Sequence, residues 1–106
     1  MPGIARSLLH AAHALNDDAL AEAARADLAR LGAQHSVWDA EGPTLCHGDA
    51  GVLHCATGVD RDVAERAAAA VTQSLDHNRP FLVAHVEHGN SHDNPGFLTG
   101  AAGGSL

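Results

Sequence analysis

The sequence predicts an all-α fold built from stacked helix pairs, and three observations carry that reading. Apolar residues recur at three- and four-residue spacing through several long stretches. Alanine and leucine, both strong helix formers, supply most of the apolar content. Glycine elements at Pro2-Gly3, Ala50-Gly51 and Ala102-Gly103 each open an apolar helical segment, about fifty residues apart, as stacked repeats require.

The first helix is expected from about Gly3 to Asn16, with Ile4, Leu8, Leu9, Ala12 and Leu15 as its apolar positions. Asn16-Asp17-Asp18 then acts as a stop and a new N-cap. The second helix runs to about Leu31 on a stripe of Leu20, Ala24, Leu28 and Leu31, with Gly32 as its C-cap. A loop from Ala33 to Leu45 contains the turn signal Gly42-Pro43.

A short helix is expected from Asp49 to about Ala56, broken by Thr57-Gly58-Val59-Asp60. Asp60 caps a longer helix to about Asp76, with Val63, Ala67, Val71 and Leu75 along one face. Pro80 to Ala84 reads as a strand or extended segment, and His85 to Pro95 as polar and irregular. A last helix starts near Thr99. The chain opens inside one glycine element and closes inside another, so the repeat is expected to be incomplete at both ends.

Composition narrows the function. At 106 residues the chain forms at most one small domain. The formal charge of −7, with no basic run, argues against nucleic acid. No apolar run approaches the ~20 residues that span a bilayer, and Met1 to Arg6 lacks the basic-then-apolar order expected of a secretion signal. Two cysteines, Cys46 and Cys55, make no disulfide framework, so a reducing cytoplasm is the expected compartment.

The chemical signal is Leu45-Cys46-His47-Gly48-Asp49-Ala50-Gly51. Thiolate and imidazole are the side chains zinc binds best, and the glycines allow a sharp bend into a helix. Outside any motif, such a pair is most simply a loop thiol beside a solvent imidazole. Cys55 reads as a buried small apolar residue rather than a ligand. His54 lies near the loop, His10 and His13 sit at i, i+3 where a solvated or partly buried helix face is the simpler reading, and His85, His88 and His92, at loop or strand-edge spacing, are alternative ligand sources.

Three stretches resemble the lanthionine synthetase C-like, or lanthipeptide cyclase, family. Cys46 to Gly51 matches its Cys-His-Gly-x-Ala-Gly element. Asn94-Pro95-Gly96-Phe97-Leu98-Thr99-Gly100-Ala101-Ala102-Gly103 matches its late glycine element, and Met1-Pro2-Gly3-Ile4-Ala5 looks like the tail of its Trp-Cys-x-Gly-x-Pro-Gly element. Phe81 to Glu87 sits where the family often carries an aromatic and His-Val segment.

The resemblance implies a partial α/α toroid of inner and outer helices, with residues 1–106 as the C-terminal portion of the domain. It implies addition of a peptide cysteine to dehydroalanine or dehydrobutyrine, forming thioether rings in a dehydrated precursor peptide. Cys46 and His47 match two of three zinc ligands; the third, an upstream cysteine, would fall before Met1. The family's acid–base residues also have no counterpart here. The expectation is therefore a cyclase that is weak or inactive alone, relying on a missing N-terminal part or working with a dehydratase. A non-catalytic interaction module and a gene remnant are the rival readings. The helix after Gly51 is expected to be short by roughly one turn of ~3.6 residues.

Overall fold

The computed structural model describes residues 2–34, 38, 42–46 and 48–104. Four main helices form two pairs: α1 (Pro2–Leu15) with α2 (Asp18–Gly32), and α3 (Asp49–Ala56) with α4 (Arg61–Gln73). α1 packs on α3 and α2 on α4, so the pairs stack side by side. The described chain measures 48 × 23 × 23 Å with a radius of gyration of 14.5 Å. A compact globule of this length would have about 13 Å. The excess reflects a stack that extends in one direction rather than closing into a ball.

Each helix begins and ends for a local reason. Asn16 adopts φ 52°, and the Asp17 amide bonds back to the Ala12 carbonyl at 2.9 Å, closing α1 with a left-handed cap. The Asp17 carboxylate then accepts from the Leu20 amide at 3.0 Å and starts α2. Asp60 does the same for α4, accepting from the Val63 amide at 3.0 Å. Gly58, at φ 76°, turns the chain between α3 and α4.

Small residues dominate the core. Ala5, Leu28, Trp38, Val52, Ala56, Val63 and Ala67 form its main cluster, and Leu9, Ala12, Ala21 and Ala24 a second one between α1 and α2. Alanine faces let helices approach closely but bury little area per residue. Trp38 supplies the missing bulk. Its indole nitrogen donates to the Leu31 carbonyl at 2.8 Å, and the Arg66 guanidinium lies 5.7 Å from its ring centre.

Several expectations need adjustment. α1 buries Ala5, Leu9 and Ala12, whereas Ile4, Leu8 and Leu15 remain 59, 37 and 71% exposed. Gly32 is the last residue of α2 rather than its C-cap, a place taken by Ala33. A side chain at Gly32 would strike Val63 and Arg66, so the glycine marks where α2 and α4 touch. α4 stops at Gln73, three residues before Asp76, and Leu75 is exposed. α3 has 8 residues against 14 in α1, shorter as the spacing of caps implies but by more than the single turn expected.

The largest difference lies after α4. Pro80 to Ala84 forms turns and bends, not a strand. The strands are β1 (His85–Glu87) and β2 (Asn90–His92), an antiparallel hairpin within the stretch expected to be irregular. His88 and Gly89 at its tip have φ 49° and 79°. Two consecutive positive φ values suit a tight two-residue hairpin turn, whose twist matches that of the strands. A short helix, α5 (Ala101–Gly104), ends the described chain.

Candidate functional site

The Cys46 loop is folded down onto the first turn of α3. The Thr44 carbonyl accepts from both the Gly48 and Gly51 amides, each at 3.2 Å, and the Thr44 amide donates to Gly42 at 2.8 Å. A Cβ at Gly48 would overlap the Gly42 carbonyl, and one at Gly51 the Leu45 carbonyl. Glycine is required at both positions because backbone occupies the space of a side chain.

The same construction recurs 52 residues later, at the start of α5. There Gly100 lies on the Asn94 carbonyl and Gly103 on the Phe97 carbonyl, while the Ala101 amide donates to Asn94 at 2.8 Å. Asn94 further accepts from the Gly96 amide at 2.8 Å and donates to Thr99 at 3.1 Å. The two loops touch. The Cys46 amide donates to the Leu98 carbonyl at 2.8 Å, and Leu45 Cβ lies against Gly103. Two helix N-termini are thereby brought to one place.

Cys46 is exposed at this junction, with a free thiol. His47, the other expected ligand, lies outside the described residues. Asp49 sits three positions after Cys46 in the first turn of α3 and is buried at 3% exposure. A carboxylate there is favoured by the positive end of the helix dipole. The one sequence signal for it is a charged residue inside an otherwise small Gly-x-Ala-Gly turn.

The remaining candidates are dispersed. Cys55 is half-buried on α3, and desolvation pushes its thiol pKa up, with Arg6 opposing the shift. His54 is exposed on α3, and His10 and His13 are exposed on α1. His85 is buried while His88 and His92 are exposed. Among the described residues, no three His, Cys, Asp or Glu side chains gather as a metal cluster.

Comparison with known proteins accords with this arrangement of glycine loops and helix pairs. The family model for lanthionine synthetase C-like proteins matches residues 1–106. No curated protein and no solved structure matches the chain. With the match spanning the whole sequence and the stacked helices in place, this chain belongs to the lanthionine synthetase C-like family.

Proposed function

We propose that the protein takes part in zinc-dependent lanthipeptide cyclisation, with Cys46 and His47 as two metal ligands and a dehydrated precursor peptide as substrate. The observation that carries this reading is the exposed Cys46 thiol, presented on a loop tied to α3 and to Leu98 by backbone hydrogen bonds. An accessible thiolate on a fixed backbone is a donor zinc favours. Bound zinc supplies the positive charge that keeps a substrate thiol ionised near neutral pH.

The chain's own part is to hold the donors still. Glycine–carbonyl contacts at Gly48 and Gly51 leave the loop little freedom, and the adjoining N-terminus of α3 offers favourable potential to an anionic sulfur. In the reaction, the substrate sulfur bonds to the β-carbon of dehydroalanine or dehydrobutyrine. The double-bond electron pair moves to the α-carbon, which takes up the proton that the thiol lost. Nothing is oxidised or reduced. A three-ligand zinc site needs one donor more than Cys46 and His47, so the reading includes a further donor from a preceding segment or a partner.

Zinc content and ring closure test this together. In a zinc titration the chain, holding two of the three donors, should bind one equivalent weakly through this loop, and Cys46→Ala and His47→Ala should each lose that equivalent. Equal zinc in all three would sink the proposal. Efficient ring closure by the chain alone, abolished in Cys46→Ala, would keep the chemistry but overturn the need for a further donor.

A second reading, as an interaction module that joins a complementary fragment, is favoured by the exposed Ile4, Leu8 and Leu15 on α1. Light scattering separates the two: a stable monomer that binds no fragment counts against the module.

A further inference from the structure

The geometry points to a second metal site, distant in sequence from Cys46: His85 and His92 form a two-imidazole clamp for a divalent late first-row transition metal ion. The two residues are direct partners in the β1–β2 register. Cross-strand partners project to the same face, with Cβ atoms about 4.5–5.5 Å apart. Their ring centroids are 4.9 Å apart with the planes at 80°.

That separation is what shared coordination demands. A metal–nitrogen bond of about 2.0–2.1 Å places each ring centroid roughly 3.2 Å from the ion. Nitrogen–metal–nitrogen angles from about 90° to 109° then separate the centroids by roughly 4.5–5.2 Å. The hairpin therefore holds the rings at chelating distance.

The backbone carrying the rings is anchored on both strands. The tip is fixed by positive φ at His88 and Gly89. Gly42 lies against Ala84 and the Val86 amide, which backs β1. Arg79 holds β2 from the other side: it donates to Ser91 Oγ at 2.9 Å, pairs with Asp93 at 3.5 Å, and reaches Asp76 at 3.6 Å. His85 is buried and His92 exposed, so an ion enters from solvent on the His92 side. Imidazole pairs suit Ni²⁺, Cu²⁺ and Zn²⁺.

Ni²⁺ titration tests the clamp in the full chain carrying Cys46→Ser and His47→Ala, which removes the donors of the other site. One Ni²⁺ per chain should bind, with NMR changes centred on the His85 and His92 rings. Adding His92→Ala should weaken binding on the order of tenfold or more, since one of two donors is gone; His88→Ala should not. The same His92 and His88 comparison in the otherwise unsubstituted chain guards against a folding defect in the background. Absence of Ni²⁺ binding, or an equal affinity in His92→Ala, overturns the site and leaves an edge-to-face ring contact only.

Discussion

The backbone amide of Cys46 donates to the carbonyl of Leu98 across 2.8 Å. The two residues occupy the same place in loops of the same construction, 52 positions apart. One loop thus supports the other, and the expected metal-bearing segment depends on the late glycine element for its position.

Glycine substitutions should separate close backbone approach from mere turn chemistry. Gly48→Ala and Gly51→Ala place a methyl on a backbone carbonyl and should each cost more than ~2 kcal/mol. Gly58→Ala meets open space but holds φ 76°, for a cost of about 1 kcal/mol. Gly3→Ala meets nothing within 4 Å inside a helix and should stabilise by about 0.5–1 kcal/mol. Urea unfolding followed by Trp38 fluorescence gives all four values.

The apolar residues of α1 should divide into two classes. Leu9→Ala, in the core, should cost about 2–4 kcal/mol. Leu8→Gln and Leu15→Gln, on the open face, should stay within about 0.5 kcal/mol. If Leu15→Gln proves as costly as Leu9→Ala, the orientation of α1 is wrong.

Caps should be separable from packing. Asp17→Ala and Asp60→Ala each remove a side-chain acceptor from a helix start and should lose about 1 kcal/mol apiece. Asp17→Asn and Asp60→Asn retain an acceptor and should recover most of it. Thermal unfolding monitored by circular dichroism reads the difference.

Cys55 should make stability fall in alkali. Its thiol is pushed above the ordinary value of 9.0 by burial, so the folded state holds this proton more tightly than the unfolded state. The contribution is complete below the unfolded pKa and is lost as pH rises from there through the folded pKa. The unfolding midpoint of Cys46→Ser should therefore drop more steeply above pH ~9 than that of Cys46→Ser/Cys55→Ala. Identical slopes would refute the burial effect.

Much of the fold could be read before any coordinates. The spacing of carboxylates and glycines placed α2, α3 and α4 correctly at their starts, because capping is a local interaction spanning three or four residues. Asp49–Ala56 was located at both ends. The hairpin carries little sequence signal, since its strands are three residues each and mostly polar, too short for the alternation that marks a half-buried strand. The His88-Gly89 pair was its one legible signal.

The candidate site divides in the same way. Cys46 and His47 stood out as a donor pair by residue type alone, and the structure describes the first of them. The burial of Asp49 had no sequence signature, since it depends on tertiary packing, whereas the pairing of His85 with His92 follows locally once His88-Gly89 is read as a two-residue turn.

What the amino-acid order determined by itself was local: helix starts and stops, the glycine turns, and the family to which they conform. Tertiary packing decided which of two apolar faces α1 buries, why Gly32 must be small, and how the Cys46 loop leans on Leu98. Helical periodicity reports that a face is apolar, but burial is settled only by the neighbour that arrives to cover it.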